Sequence, residues 1–178
     1  MKRHMLILAA ALGGSFALAF GAEPAPARTD SRVAVTFVDP QKYTDLTREE
    51  GNATSPELLD ELRDFMLETG ARSVPAGMHL EIKVTDVDLA GQFEPWRGPE
   101  FSHIRIVKGL YPPRIKLEFT LTDAQGKVVS SGNRELTDLA FQTRSAFALP
   151  SDDYLRYVKD LLRQWFNSEF KPATVAGT

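Results

Sequence analysis

Arg114-Ile-Lys-Leu-Glu-Phe-Thr-Leu-Thr122 alternates without a break, with Ile115, Leu117, Phe119 and Leu121 on one side and Arg114, Lys116, Glu118, Thr120 and Thr122 on the other. Successive side chains of an extended chain point to opposite faces, so this stretch predicts a strand that buries one face and wets the other. One-sided alternation belongs to antiparallel sheets, because strands of parallel sheets are covered on both faces and read as apolar throughout. Asp123-Ala-Gln-Gly126 then reverses the chain, with glycine supplying the positive φ that hairpin loops need, and residues 127–137 return as a second strand. Ser130-Ser-Gly132 interrupts that return and predicts a bulge or a close backbone approach.

On the N-terminal side a longer strand begins at His79. Leu80, Ile82 and Val84 share one parity, whereas Val87 and Leu89 continue on the other. Keeping one apolar face through the segment requires a bulge near Thr85 and Asp86, which turns Asp86 and Asp88 away from the core together. The strand runs out into Gln92-Phe-Glu-Pro-Trp-Arg-Gly-Pro99, whose two prolines restrict themselves and the residues before them and so predict a stiff loop. His103-Ile-Arg-Ile-Val-Lys108 predicts a further strand with Ile104 and Ile106 inward and His103 and Arg105 on the opposite face. An aromatic residue before proline makes Tyr111-Pro112 a candidate cis bond.

Val33-Ala-Val-Thr-Phe-Val38 predicts the first strand, with Val33, Val35 and Phe37 toward the core. Ser55-Pro56-Glu57 is a helix start, combining a hydroxyl N-cap, a proline at the first helical position and an acid in the first turn. Leu58, Leu59, Leu62, Phe65 and Met66 recur at helical spacing, with Gly70 as the expected C-terminal cap. Leu139, Phe141, Phe147 and Leu149 are apolar points in an irregular connection beneath a last helix. That helix is predicted from Ser151 as N-cap, with Tyr154, Leu155, Val158, Leu161, Leu162, Trp165 and Phe166 as its apolar stripe. Asp152, Arg156 and Asp160 are spaced to share its outer face. The resulting order, β-α-β-β-β-β-α, predicts an α+β fold in which two helices pack on one face of a mostly antiparallel sheet.

The chain is 178 residues long with 43% hydrophobic residues, enough for one domain with a core of its own. Met1-Lys2-Arg3-His4, the uncharged run over residues 5–22 and the small residues before a proline-rich exit predict a secretory signal peptide over residues 1–21. An uncleaved membrane anchor is the competing reading of that run. A disordered leader over 22–31, a single domain over 32–170 and a flexible tail over 171–178 complete the expected organisation. The formal net charge of −3 becomes −5 without Lys2 and Arg3, because Lys+Arg falls from 21 to 19 while Asp+Glu stays at 24. An acidic balance disfavours nucleic acid and anionic membrane surfaces as partners. The chain has no cysteine, which removes disulfides, thiol chemistry and the lipidated cysteine of a bacterial lipoprotein. The expected location is therefore periplasmic or secreted.

Asp86, Asp88 and Glu94, with Glu100 and His103, form an expected oxygen-rich cluster for a hard cation or a small polar ligand, walled by Trp96 and Arg97, with Arg105 on the His103 side. The plainer reading is that these carboxylates are solvated or cap backbone amides while the indole packs on the sheet. No phosphate-cradling glycine loop, nucleophile elbow or His-Glu-x-x-His helix is present, and no cofactor is expected. Two function classes remain: a non-enzymatic binding or accessory module whose partner is an envelope protein or a small polar ligand, or a metal-binding protein or metal-dependent hydrolase using the Asp86, Asp88 and Glu94 region.

Val35-Thr-Phe-Val-Asp-Pro-Gln-Lys-Tyr-Thr-Asp45, Asp86-Val-Asp-Leu-Ala-Gly-Gln-Phe-Glu-Pro-Trp96, Tyr111-Pro-Pro-Arg-Ile115 and the terminal Asp153-Tyr-Leu-Arg-Tyr157 with Trp165-Phe166 together resemble DUF3016, a family of small exported proteobacterial proteins of unknown function. The resemblance covers nearly the whole chain after the leader and implies an exported, single-domain envelope protein. It implies no activity and no site residues.

Overall fold

The computed structural model describes residues 32–144, apart from residues 50 and 52, and residues 152–170. The strands are β1 (Val33–Phe37), β2 (His79–Asp88), β3 (Gln92–Phe93), β4 (Arg105–Ile106), β5 (Arg114–Thr122) and β6 (Val128–Thr137). The helices are α1 (Pro56–Ser73), α2 (Phe141–Arg144) and α3 (Arg156–Phe170). β5, the faultlessly alternating strand, lies inside a four-stranded sheet of order β1-β2-β5-β6, and β3 pairs with β4 in a separate small sheet. The β2–β5 and β5–β6 pairs are antiparallel, whereas β1 runs parallel to β2. Parallel neighbours need a long crossover, and α1 supplies it. The fold is thus α+β with a mixed, mainly antiparallel sheet.

The bulge expected in β2 is present. Val84 pairs with Leu117 and Asp86 with Lys116, so Thr85 is the extra residue. Adding one residue switches parity, which is how Val84 and Val87 are both buried. The β5–β6 pairing also shifts register, between Leu121 and Thr122. Gly132 faces Phe119 across that pair, and a Cβ there would lie 2.7 Å from Nη1 of Arg134. The missing side chain makes room for the Arg134 guanidinium, which sits 4.9 Å from the Phe119 ring centroid and pairs with Glu169 of α3 at 2.8 Å.

The Ser55 hydroxyl accepts the Leu58 N–H at the start of α1. The helix continues past the expected stop to Ser73, because Gly70 serves packing rather than termination: a Cβ at Gly70 would lie 3.1 to 3.2 Å from Val33 and Phe166. α1 and α3 cover one face of the sheet. Leu58, Leu62 and Met66 of α1 are buried with Leu80, Ile82, Ile115 and Leu117 of the sheet and Leu162 and Phe166 of α3. Phe119, Trp165 and Phe170 meet edge to face with ring centroids 5.2 to 5.8 Å apart, an arrangement that aromatic quadrupoles favour. Glu81, Lys83, Lys116 and Glu118 are exposed on the opposite face.

Five expectations are corrected. Only Arg105–Ile106 of the 103–108 segment is strand, and Ile104 is exposed, because β4 has just the two-residue partner β3 to pair with. Tyr111-Pro112 is trans, as are all peptide bonds among the described residues. α3 starts at Arg156, one turn later than expected, where Asp153 Oδ1 accepts the Leu155 N–H. Asp160 is buried rather than on an outer face, and its carboxylate accepts from Gln164 Nε2 at 3.0 Å. Phe141 is buried against Tyr157, ring centroids 4.9 Å apart, while Leu139 is exposed. The expected signal peptide, leader and tail, Ser151, Phe147 and Leu149 lie outside the described residues. Among those residues, no helix is long and apolar enough to cross a membrane.

Candidate functional site

The end of β2 beyond the bulge is where the chain gathers its charges. Residues 43–47, which follow β1, run alongside it: Asp45 N–H donates to the Val87 carbonyl at 2.9 Å and Leu89 N–H to the Asp45 carbonyl at 3.1 Å. Two side chains lock this approach. Tyr43 is buried and its hydroxyl donates to the Val84 carbonyl at 2.8 Å. Burial pushes that phenol far above its ordinary range, so it stays a donor. Asp86 accepts from the Thr44 N–H at 2.8 Å and the Thr44 hydroxyl at 3.0 Å, with Lys116 Nζ 3.7 Å away. Asp86 is therefore engaged in holding residue 44.

Arg105 reaches the same place from β4. Its side chain is 8% exposed, and all five of its N–H groups have acceptors. Nη1 and Nη2 grip the Asp45 carboxylate at 2.6 and 2.8 Å and also donate to the carbonyls of Gly91 and Thr47, while Nε donates to the Tyr154 hydroxyl at 2.9 Å. The Phe93 ring lies under the guanidinium, 4.6 Å from its carbon. A fork-on-fork arginine and carboxylate pair of this kind fixes geometry as well as charge. Arg105 thus ties together the 43–47 segment, the small sheet and the approach to α3.

Glu94 anchors the neighbouring loop. It is 2% exposed, and its carboxylate accepts from Lys108 Nζ at 2.6 and 2.8 Å and from the Tyr111 hydroxyl at 3.0 Å, with Arg97 Nε at 3.1 Å. The Lys108 hydrogen bond in particular holds its carboxyl below the usual carboxylate range. The loop holds two short 3-10 turns, Pro95–Arg97 and Pro99–Phe101, each opened by a proline. Trp96 stands out from it at 68% exposure instead of walling a site, and Arg97 lies over the Phe101 ring. Glu100 and His103 are exposed. Among the described residues, no three of His, Asp and Glu converge in a way that could hold a metal ion.

What remains is Asp88. It lies in the lining of a cleft of about 530 Å³ between the end of β2, residues 44–47 and the start of β5, together with Asp45, Phe93, Leu110, Tyr111 and Arg114. Its carboxyl is half-buried and pushed up to about 6, first by burial and then by the Asp45 carboxylate, with Arg114 pulling the other way. Asp88 and Arg114 are directly opposed in the β2–β5 register. Neither the Asp88 carboxylate nor the Arg114 guanidinium makes a hydrogen bond or ion pair with another described residue.

The seven expected site residues therefore divide. Asp88 faces the cleft, Asp86, Glu94 and Arg105 are bonded into its framework, and Trp96, Arg97 and His103 lie on or beyond the outer loop. Asp45, Tyr111 and Arg114 join the site from distant parts of the chain. The opposition of Arg114 to Asp88 follows from the β2–β5 register, and because β3 and β4 lie between those strands in the chain no short turn fixed that register in the sequence.

No curated protein matches the chain. A family model described as a protein of unknown function, DUF3016, matches residues 31–168, a span that includes every residue of the cleft. The chain belongs to the DUF3016 family.

Proposed function

We propose that this protein is a non-enzymatic binding module of the bacterial envelope, exported by its N-terminal segment, and that it holds a small polar ligand in the Asp88 cleft. The observation that carries the reading is the pair of opposite charges, Asp88 and Arg114, placed side by side in an open cleft without a partner among the described residues. A half-desolvated carboxylate left unpaired is unfavourable unless something else uses it, which is why such groups mark functional sites. The cleft's hydroxyls, by contrast, are committed as donors: Thr44 to Asp86, Thr47 to the Glu49 carbonyl and Tyr111 to Glu94. Groups held in this way orient a ligand and are poorly placed to attack one. Export is supported by the basic start, the apolar run over residues 5–22 and the small residues that follow it.

The test is mass spectrometry of the full chain expressed in a Gram-negative host and recovered from the periplasm, under denaturing and native conditions. The denatured mass should correspond to loss of residues 1–21, and the native spectrum should carry added mass that Asp88→Asn abolishes. Retention of the N-terminal segment would refute export. An adduct that persists unchanged in Asp88→Asn would refute the cleft as its site.

A second reading rests on Trp96, whose 68% exposure on its loop suits an anchor for a partner protein. Crosslinking from position 96 in living cells tests it, and a pattern identical to that from an exposed position on the opposite sheet face would refute it.

A further inference from the structure

We propose that the ligand of this cleft is a zwitterion of the amino acid class, its ammonium group on Asp88 and its carboxylate on Arg114. The inference rests on the binding reading above and deepens it by naming the ligand's chemistry.

Charge accounting in the cleft and its framework leads there. Asp45 is neutralised by the two-pronged grip of Arg105. Asp86 is satisfied by Thr44 and faces Lys116. Glu94 is surrounded by Lys108, Arg97 and the Tyr111 hydroxyl. Among the described residues, two charged groups of the lining are left over, one negative and one positive, on neighbouring strands and on the same face of the sheet. Directly opposed residues of an antiparallel pair have Cβ atoms about 5 Å apart, so both side chains leave the sheet close enough for one small molecule to contact the two.

Other ligand classes fit less well. A simple cation would satisfy Asp88 while facing the Arg114 guanidinium, and a simple anion would satisfy Arg114 while facing the Asp88 carboxylate. A neutral polyol would offer neither Asp88 nor Arg114 a full opposite charge. A zwitterion answers both heads at once and brings no net charge into the cleft. Phe93 and Leu110 line the same space, and Leu110 is 76% exposed at its mouth, so an apolar side chain on the ligand has surface to cover. A cleft of about 530 Å³ falls within the ordinary range for small-molecule sites and accommodates an amino acid or a dipeptide.

Isothermal titration of the purified protein at neutral pH with three matched probes tests this: L-leucine, leucinamide, which lacks the carboxylate, and N-acetyl-leucine, which lacks the ammonium. Leucine should bind at least about tenfold more tightly than either relative, since each loses one charge-assisted contact. Asp88→Asn should weaken leucine by a similar factor while leaving N-acetyl-leucine no weaker, and Arg114→Gln should erase the preference for leucine over leucinamide. Equal affinity for leucine and either relative in the unmodified protein would overturn the proposal, and that comparison needs no variant to fold. Neutral sugars and polyols are titrated alongside. If they bind in an Asp88-dependent way and leucine does not, the zwitterion is wrong and the binding cleft stands. If nothing in the whole panel binds, both fail.

Discussion

Replacing Asp88 by Asn should make the protein more stable near pH 8, not less. The folded-state pKa of about 6 lies above the ordinary 3.8, so the folded chain holds this proton more tightly than the unfolded chain does. The associated stability is fully present below about pH 4 and is lost as the pH rises through about 6. Above that, the wild type carries a half-buried carboxylate beside Asp45 and Asp86, offset in part by Arg114 and Arg105, whereas the variant carries a neutral amide of the same shape. A shift of about two pH units converts to about 3 kcal/mol at 1.36 kcal/mol per unit. Asp88 is only half-buried, and solvent screening reduces the expected gain to about 1 kcal/mol. In a domain of this size that corresponds to about 3–5 °C in melting temperature. Urea unfolding of both proteins at about pH 8 and about pH 4.5 measures it: the variant should lead at the higher pH and the two should converge at the lower. A variant that is less stable near pH 8 would refute the reasoning, because it would mean that in solution Asp88 is ion-paired with Arg114 and the cleft has no charge to offer.

Three further outcomes follow from the site's framework. Arg105→Met leaves the Asp45 carboxylate with only the long Thr47 contacts and removes one donor from each of the Gly91 and Thr47 carbonyls, and should cost about 3–4 kcal/mol in urea unfolding, with Arg105→Lys recovering little because an ammonium cannot reproduce the five-way contact. Gly91 has φ of 84°, and a Cβ there would lie 2.8 Å from the Ile106 carbonyl oxygen, so Gly91→Ala should cost about 2 kcal/mol or more, read as a lower melting temperature. Trp96→Ala should leave unfolding unchanged within about 0.5 kcal/mol, since its indole stands in solvent, and a large loss of stability would show that it packs in the core.

Much of the fold was legible because hydrophobic periodicity is a local property. The alternation of Arg114–Thr122 specified a one-sided strand, and the parity switch between Val84 and Val87 specified a bulge, since only an added residue keeps both inside. Ser55-Pro56 announced the start of α1 through its own hydroxyl and ring. Local pattern failed where a distant surface set the outcome. Gly70 reads as a helix stop, yet it sits inside α1 because β1 and α3 approach too closely there for a side chain. Asp160 reads as a solvated charge, yet it is buried.

The candidate site shows the same division more sharply. The sequence by itself determined that Asp86 and Asp88 leave the core face together and that the Pro-Trp-Arg loop beyond them is restricted at its prolines, because parity and proline ring closure act within a few residues. Only the tertiary structure decided which carboxylates are available. Asp86 is taken by Thr44, 42 residues away; Asp45 is taken by Arg105, 60 residues away; and Glu94 is taken by Lys108 and Tyr111. Asp88 is left facing Arg114 across the sheet. Whether a carboxylate is structural or free depends on the donors that folding brings within about 3 Å of it, and no spacing along one chain encodes that distance.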